Sequence, residues 1–409
     1  MESSPDGVPG VTGRFGFDTN ISLHDMGDSY LAQYKIAIPE GKALGMMCSY
    51  TSINGTAVCE STRWQQDWAR KKMGFEGNIV TDCGALSMPG PEAVADPGCS
   101  ARSAGNSPKC VHGAAKALAA GTDLNCGQPW GYTSILAAIK AGLATEAQLD
   151  TIVGRSLGLR MRTGAFDATD DQPYTRIPIS QLGSPEHHEV ALQTAAKGLV
   201  LLRNPGQVLP LSASKKTAVV GSQIGAQKGL MGSYFDIACP GSAPNEGSGQ
   251  DWSCILTPLA AIANLTAAPP VSSSSGGAIA AVKAAQAAEQ VVVVLGQDDE
   301  GEGHDRKSTT LDPTQVALAE AVLVVGKPTV IVLLHGGILS VDSLAKHDGK
   351  HALVNAWFPG LRGAEAMAKS LFGFKGFNRW GKLPATIYAK SFSGESLCAR
   401  GSRPVGPLR

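Results

Sequence analysis

Short apolar strands, each followed by a polar turn and then by a stretch that suits a helix, recur along this chain. In its first part, segments of this kind end near Cys48, Asp82 and Leu124. The helix-compatible stretches Ser61–Lys72 and Val111–Ala120 separate them. This alternation predicts a parallel sheet, because parallel neighbours need a crossover between them. A barrel is the simplest closed form of such a sheet.

The second part of the chain repeats the alternation. Its predicted strands are Thr217–Gly221, Gln290–Gly296, Thr329–Leu334 and Ala352–Trp357. Ala-rich stretches such as Ala278–Glu289 and Pro313–Val325 separate these strands and suit helices. A second parallel sheet is therefore expected. The tract Ala267–Gly277 is rich in Pro and Ser and is predicted to be a flexible loop.

The composition argues against several classes of protein. A length of 409 residues fits two or three domains, and 43% hydrophobic residues suffice for real cores. The 35 basic and 35 acidic residues balance, so nothing marks a surface for nucleic acid or membrane. No apolar run reaches the roughly 18 residues that span a bilayer, and no signal peptide is visible. The 8 His are scattered, so neither a metal nor another cofactor is predicted.

Asp82 is the leading catalytic candidate. It ends an apolar strand and directly precedes the small-residue turn Cys83–Ala85. At the carboxyl end of a strand in an α/β fold, side chains point into the ligand crevice, whereas a carboxylate in mid-strand would be buried away from water. The alternative is an Asp that caps the following turn or helix.

A second set of carboxyl groups follows another strand. The apolar run Val291–Leu295 leads into residues 296–306, where Glu300 and Glu302 stand among further ionisable residues. Loops after the carboxyl ends of strands face the crevice of α/β proteins and carry function, so a functional loop is one interpretation. A solvated acidic turn is the other.

Motifs in a fixed order run through both parts. They are Cys48-Ser49-Tyr50, Asn54-Gly55, Ile79–Cys83, Gly121–Gly127, Arg162–Asp167, Glu302–Arg306, Trp357–Gly360 and Gly381–Pro384. Together they resemble glycoside hydrolase family 3, in particular its plant and fungal β-xylosidase-like members. The resemblance covers roughly residues 14–390, and the ordered series is far more specific than any one motif.

The resemblance implies an α/β protein of two domains. Residues 1–170 would form the C-terminal part of a (β/α)8 barrel of the TIM type, residues 171–187 a linker, and residues 188–390 an α/β sandwich with a mainly parallel sheet, before a tail over 391–409. A complete barrel takes about 250 residues, with a lower limit near 200, so several strands are expected to be missing from an N-terminally truncated barrel. A partial barrel leaves sheet edges and apolar faces open, which a second copy or the absent piece would cover.

The resemblance also implies roles for single residues. Asp82 would be the nucleophile and Glu302 the general acid/base, with Glu300 as runner-up for that role. Tyr50 would hydrogen-bond the nucleophile or a sugar hydroxyl, although a lone Tyr is more often a core residue. In a retaining glycosidase one carboxylate attacks the anomeric carbon while the other group protonates the leaving oxygen, with about 5–5.5 Å between them. The implied function is a retaining, exo-acting β-glycosidase that works by double displacement.

Cys83, next to the candidate nucleophile, indicates the substrate. A Cys here resembles the xylosidase-like branch, whereas the glucosidase branch usually has Trp. The expected substrates are β-D-xylosides of xylan-derived oligosaccharides, with α-L-arabinofuranosides as a further class. A β-glucosidase of the same family and a carbohydrate-binding relative without turnover are the alternatives. A nucleotide-binding protein is disfavoured, because no Gly-X-Gly-X-X-Gly or Gly-X4-Gly-Lys-Ser/Thr loop occurs.

Cysteine usage indicates disulfides. Cys48 and Cys59 flank a predicted loop, and Cys83 and Cys126 lie beside strand ends that should be neighbours, so each couple is a candidate pair. Cys239 with Cys254 and Cys99 with Cys110 bracket two further loops. Buried free thiols in a reduced compartment are the alternative.

An extracellular or cell-wall location is what the family resemblance implies. The Asn-X-Ser/Thr sequons at Asn20, Asn54 and Asn264 agree with secretion, although such triplets often arise by chance. The predicted partner is a carbohydrate. A homo-oligomer stays an open alternative, and neither nucleic acid nor membrane is expected as a partner.

Overall fold

A computed structural model of the chain describes residues 18–86, 108–126, 134–234, 239, 250–274, 277–297, 301, 306, 308–347 and 351–394. The chain divides into two compact units, Met1–Pro178 and Ile179–Arg409. Each unit combines helices with parallel strands, which is the α/β class that the alternation of elements predicts. In the part of the chain described, no helix has both the length and the apolar character that crossing a membrane requires.

The first unit contains two small sheets. Its strands are β1 (Asp18–Thr19), β2 (Gly45–Cys48), β3 (Ser52–Ile53), β4 (Thr56–Ala57) and β5 (Asn78–Thr81). β2 and β5 pair in parallel, and β1 pairs in parallel with β3. β3 and β4 form a hairpin whose turn residues, Asn54 and Gly55, have the positive φ angles that a tight two-residue turn requires.

Helices cover one face of β2 and β5. The helical segments of this unit are Leu23–Asp25, Met26–Tyr30, Ala32–Ala37, Val58–Glu60, Arg63–Lys72, Pro108–Ala120, Ile135–Lys140, Glu146–Arg162, Thr169–Asp171 and Tyr174–Arg176. The segments Met26–Tyr30 and Arg63–Lys72 have π-type hydrogen bonding. Cys48 and Ile79 of the strands share an apolar cluster with Ala69 of the second π-type segment.

The other face of these strands is less covered. Met47 lies opposite Val80, and Val80 forms a single parallel bridge to Leu124. Residues paired in this way point to the same side of a sheet. Met47 is 57% exposed and Leu124 is 43% exposed. The third predicted strand of this part is thus reduced to one bridge, and the described residues do not close a barrel.

The second unit is built on one six-stranded sheet. Its strands are β6 (Val200–Arg203), β7 (Thr217–Val220), β8 (Val271–Ser273), β9 (Gln290–Gly296), β10 (Thr329–Leu334) and β11 (His351–Asn355). The order across the sheet is β6-β11-β10-β9-β7-β8. β6 is antiparallel to β11, and all other neighbours are parallel. β9 and β10 have the predicted bounds, whereas β7 and β11 end one and two residues earlier than predicted.

Two edge strands depart from the prediction. The expectation of a flexible loop over Ala267–Gly277 is wrong at Val271–Ser273, which form β8 and pair with β7. Pro269 and Pro270 precede this strand and favour extended backbone, and an edge position tolerates its Ser residues. The sequence pattern does not predict β6, which follows a helix directly and pairs at the opposite edge.

The helices of the second unit lie on both faces of its sheet. The helical segments are Ile179–Gln181, Pro185–Gly198, Lys228–Met231, Pro258–Ala263, Gly277–Gln286, Pro313–Val324, Asp342–Ala345, Gly363–Leu371 and Lys390–Gly394. β9 alternates between two apolar cores: Val292 and Val294 belong to one, and Val291, Val293 and Leu295 to the other. The strand is therefore buried on both sides, as expected for a continuous apolar run in a parallel sheet.

Both ends of β9 are held by glutamine side chains. Gln290 Nε2 donates to Ser212 O at 2.7 Å and to Thr217 Oγ1 at 2.9 Å. At the other end, Gln315 accepts a hydrogen bond from Gly296 N at 3.0 Å and donates to Gly296 O at 2.9 Å. A Cβ atom on Gly296 would come within 2.0 Å of Leu334 O, so this end of the strand requires glycine.

Glu365 stabilises the helix Gly363–Leu371 on its solvent side. Arg362 Nε donates to its carboxylate at 2.9 Å, and Lys369 Nζ lies 2.8 Å from it. Burial raises the pKa of Glu365, but the hydrogen bonds from Lys369 and Arg362 outweigh burial. The pKa therefore lies below its ordinary value of 4.5.

Candidate active site

Asp82 stands immediately after β5, at its carboxyl end. Its backbone N–H donates to Cys48 O at 2.9 Å, which continues the pairing of β5 with β2 by one residue. Its Oδ1 accepts a hydrogen bond from Cys83 N at 2.7 Å, and the residue is partly exposed. The carboxylate is thus fixed by the backbone of the next residue and still reaches solvent.

Two disulfides and Tyr50 hold the turn that carries Asp82. Disulfides join Cys48 to Cys59 and Cys83 to Cys126. The hydroxyl of Tyr50 donates to Cys83 O at 2.8 Å. Tyr50 therefore contacts the residue after the candidate nucleophile through the backbone of that residue.

Further cysteines pair in the structure. Cys239 and Cys254 form a disulfide in the second unit. Cys110 is also disulfide-bonded, and its predicted partner Cys99 lies outside the described residues.

A buried ion pair network lies beneath this site. The carboxylate of Asp123 accepts hydrogen bonds from Arg70 Nη2 at 2.7 Å, from Arg155 Nη1 at 3.1 Å and from the backbone N–H of Ile79 at 2.7 Å. Arg70 comes from the helix Arg63–Lys72 and Arg155 from Glu146–Arg162, so one carboxylate joins two helices to β5. The side chain of Asp123 is completely buried.

Desolvation opposes the charged state of this network. Burial raises the pKa of Asp123, and the hydrogen bond from Ile79 and the two Arg residues act against that shift. Burial likewise lowers the pKa of Arg70, against the attraction of Asp123. In such a buried network desolvation offsets much of the Coulombic gain, whereas removing one partner is strongly destabilising. No sequence motif marks Arg70 and Arg155 as partners, because both lie far along the chain from Asp123.

In the second unit, the order in which the parallel strands are added across the sheet reverses beside β7. From β7 the chain moves outward to β8 and then returns to β9 on the other side of β7. In doubly wound sheets, ligands bind at such a switch point. The segment with the candidate acid begins directly after β9.

Glu302, the candidate acid/base, and Glu300, the runner-up, lie outside the described residues, as does Asp305. Residues on either side of Glu302 are described. A Cβ on Gly301 would lie 3.1 Å from Ser233 Cβ, and Arg306 Nη1 donates to Gln297 Oε1 at 3.4 Å. In the part of the chain described, no three His, Cys, Asp or Glu side chains are grouped as ligands for a metal ion.

Comparison with known proteins identifies the family. The model described as "Glycosyl hydrolase family 3 N terminal domain" matches residues 13–159, and "Glycosyl hydrolase family 3 C-terminal domain" matches residues 199–397. The chain belongs to glycoside hydrolase family 3.

The relatives include plant enzymes named as xylosidases. "Beta-xylosidase/alpha-L-arabinofuranosidase 1" of Medicago sativa subsp. varia is 30% identical over 386 residues, which make up 93% of this chain and 47% of the relative. "Beta-D-xylosidase 1" of Arabidopsis thaliana is 30% identical over 383 residues, again 93% and 47%. The chain thus spans about half the length of the curated relatives it matches.

Solved structures show the same fold. The chain is similar to the GH3 exo-β-xylosidase XlnD in complex with a xylobiose aziridine probe, with 27% identity, a TM-score of 0.72, and coverage of 88% of this chain and 45% of that one. A β-glucosidase from Listeria innocua in complex with glucose has 24% identity and a TM-score of 0.72, covering 87% and 46%. The second likeness concerns the fold alone.

Proposed function

We propose that the chain supplies the catalytic part of a retaining, exo-acting β-glycosidase whose substrates are β-D-xylosides of xylan-derived oligosaccharides. The observation that carries the proposal is Asp82, a partly exposed carboxylate at the carboxyl end of β5 with one oxygen held at 2.7 Å by Cys83 N. Family membership supports the class of reaction, and the named xylosidase relatives support the sugar. The first unit would then derive from a TIM-type barrel over residues 1–170, and residues 188–390 would be the family's α/β sandwich.

In the proposed mechanism Asp82 is the nucleophile. Its Oδ1 accepts the Cys83 N–H, so Oδ2 attacks the anomeric carbon. Glu302 donates a proton to the leaving glycosidic oxygen as the bond to the sugar breaks, and a covalent glycosyl–Asp82 ester forms. Glu302, now ionised, removes a proton from water, which attacks the same carbon. The sugar is released with its configuration retained, and both carboxyl groups return to their starting states.

Tyr50 and the disulfide between Cys83 and Cys126 act on the orientation of the nucleophile. Both restrain residue 83, one through its carbonyl and the other through its sulfur. Because Cys83 N holds the Asp82 carboxylate, any shift of residue 83 turns that carboxylate. A well-oriented nucleophile matters, since misplacement by about 1 Å costs on the order of 100-fold in rate.

An extracellular or cell-wall location, as part of xylan catabolism, fits a protein with several disulfides.

The test compares aryl β-D-xyloside, β-D-glucoside and α-L-arabinofuranoside as substrates of the purified chain. Asp82→Asn should abolish turnover of every substrate that the wild type cleaves. Asp67→Asn is the matched control, because Asp67 is an exposed Asp of the same unit that pairs with Lys71 in the next turn. Equal activity of the two variants would contradict the role of Asp82.

The general acid is tested with substrates of different leaving groups. Glu302→Ala should slow cleavage of phenyl β-D-xyloside by about 100-fold or more, because a poor leaving group needs protonation. Cleavage of the bond to dinitrophenol, which leaves without a proton, should be affected far less. Glu300→Ala is the paired variant. If it shows this pattern and Glu302→Ala does not, the acid is Glu300.

A carbohydrate-binding protein without turnover is the second candidate, favoured by the described strands of the first unit, which form two small sheets and close no barrel. It predicts that a folded wild-type chain binds xylo-oligosaccharide in calorimetry yet releases no nitrophenol. The substrate comparison therefore separates the two candidates directly.

A further inference from the structure

The side chain of Thr81, directly before Asp82, takes over from the backbone where the pairing of β5 ends. Up to this point the pairing with the next segment is regular: Leu124 N donates to Ile79 O at 3.1 Å, and Thr81 N donates to Leu124 O at 2.9 Å. The next bond of a parallel ladder would join Cys126 N to the carbonyl oxygen of Thr81. Instead, Cys126 N donates to the hydroxyl oxygen Oγ1 of Thr81 at 2.9 Å.

The hydroxyl of Thr81 is fixed in its place. The residue is completely buried, and its Oγ1 donates to Asn125 Oδ1 at 3.3 Å. A hydroxyl donates one hydrogen bond and accepts up to two, so this bond and the one from Cys126 N fit a single orientation of its hydrogen. Branching at Cβ restricts the χ1 angle of Thr. The oxygen therefore forms a rigid point at the carboxyl end of β5.

Beyond this point the pairing is displaced by one residue. In a regular ladder Cys83 N would donate to the carbonyl of Cys126. In the structure Gly84 N makes that bond, at 2.9 Å, and a disulfide joins Cys83 to Cys126. Cys83 N donates instead to Asp82 Oδ1 at 2.7 Å. The displacement is thus what gives the carboxylate of the candidate nucleophile its backbone donor.

We infer that Thr81 is a positioning residue for Asp82, the nucleophile of the proposed glycosidase. The Thr81 hydroxyl takes the N–H of Cys126 away from the backbone carbonyl, so the ladder stops and Cys83 N turns to the carboxylate. Without the hydroxyl the regular ladder would resume, and Cys83 N would turn from Asp82 to the Cys126 carbonyl. This inference rests on the proposed function. It assigns Thr81 no contact with the substrate, because the residue is completely buried.

Two variants of Thr81 separate positioning from mere filling of space. Thr81→Val keeps the branched shape but replaces the hydroxyl by a methyl group, so the Cys126 N–H loses its acceptor. Thr81→Ser keeps the hydroxyl and loses only the methyl group, which leaves a small cavity. Positioning through Cys126 predicts that Ser functions and Val does not. A residue that only fills space would give the reverse order.

The activity assay compares two leaving groups on the same sugar. Thr81→Val should lower kcat/KM by about 10- to 100-fold for both phenyl and dinitrophenyl β-D-xyloside, because a displaced nucleophile slows attack whatever group leaves. Thr81→Ser should stay within about 3-fold of wild type for both substrates. A loss in Thr81→Ser as large as that in Thr81→Val would overturn the inference.

Thr217→Val is the matched control for the loss of a buried hydroxyl. Thr217 lies in the second unit, where its Oγ1 donates to Lys215 O at 3.1 Å and accepts a hydrogen bond from Gln290 Nε2 at 2.9 Å. Like Thr81 it is buried and uses its hydroxyl as both donor and acceptor. Its replacement should leave kcat/KM within about 3-fold of wild type. A loss equal to that of Thr81→Val would overturn the inference.

A second readout does not depend on activity. Labelling the carbonyl carbon of Cys and the nitrogen of Gly singles out the amides of Gly84 and Gly127 in NMR spectra, because Cys-Gly occurs only at these two places in the sequence. The Gly84 N–H should exchange with deuterated water at least about 10-fold faster in Thr81→Val than in Thr81→Ser, since its bond to Cys126 depends on the displaced pairing. Equal exchange in the two variants would overturn the inference.

Thr81→Ala replaces Thr81→Val if the latter fails to fold. Ala and Ser differ by the hydroxyl alone, so both comparisons can be repeated with this pair. The Ala variant should show the lower kcat/KM and the faster exchange of the Gly84 N–H. Equality of the Ala and Ser variants in both measurements would overturn the inference.

The outcomes for the two proposals are distinct. A folded wild-type chain that cleaves none of the aryl glycosides would refute the proposed function, and exchange of the Gly84 N–H would then decide whether Thr81 fixes the turn. An active wild type with equally active Val and Ser variants would overturn the role of Thr81 and leave the proposed function standing.

Discussion

Replacing Asp123 by Asn should strongly destabilise the first unit. The substitution keeps size and shape and still offers an oxygen to Ile79 N–H, but it removes the only described carboxylate that pairs with Arg70 and Arg155. Breaking one partner of a buried ion pair costs about 3–5 kcal/mol, because the remaining charge stays desolvated. For a unit of this size each kcal/mol lowers Tm by about 2–4 °C, so a decrease of about 6–20 °C is expected.

The assay is urea unfolding at pH 7, followed by circular dichroism and supported by calorimetry. Asp67→Asn again provides the control, since its pair with Lys71 is exposed and contributes at most about 0.5 kcal/mol. Combining Asp123→Asn with Arg70→Met should cost less than the sum of the single changes by about 1–3 kcal/mol, because the unpaired guanidinium is then gone. A loss below about 1 kcal/mol for Asp123→Asn, or strict additivity with Arg70→Met, would refute the reasoning.

Three further predictions concern residues described above. Because the folded pKa of Glu365 lies below 4.5, its carboxylate adds stability above about pH 4.5 that is lost as the pH falls through the folded pKa. Glu365→Gln should therefore lower the free energy of unfolding by up to about 1 kcal/mol at pH 7 and have no effect near pH 2, which a pH series of thermal melts would show; a pH-independent loss would contradict it. Tyr50→Phe should lower the free energy of unfolding in urea by only about 1 kcal/mol. It should nevertheless lower kcat on aryl xyloside about 10-fold, and an unchanged kcat would show that Tyr50 does not orient Asp82. Joint replacement of Cys83 and Cys126 by Ala opens a loop of sequence separation 43 and should cost about 4 kcal/mol in urea unfolding under non-reducing conditions, whereas a loss near zero would mean that the bond does not constrain the unfolded chain.

The central strands of the second unit could be predicted from sequence with accuracy. β9 and β10 are continuous apolar runs bounded by polar residues, and a sheet buried on both faces needs such runs. Edge strands carry no comparable signal. β8 consists of one Val and two Ser after two Pro, and only its pairing with β7 makes it a strand.

The position of Asp82 could also be predicted, because a strand that ends on a carboxylate before a small-residue turn is visible in the sequence. What the sequence alone does not reveal are partners brought together by folding. Arg70 and Arg155 reach Asp123 across sequence distances of 53 and 32 residues, and no spacing rule connects them. The bond from Tyr50 to Cys83 O likewise depends on the exact path of the turn.

The glutamines at the two ends of β9 have a consequence for how the strand is aligned with its neighbours. Both faces of β9 are buried among apolar side chains, so sliding it by one residue would exchange its two sets of Val residues without exposing either to water. Hydrophobic burial therefore does not choose between the two alignments. Sliding would instead break the amide bonds of Gln290 and Gln315 and bring a side chain against Leu334 O, where only Gly296 fits. Two uncharged side chains thus decide at which residue β9 ends.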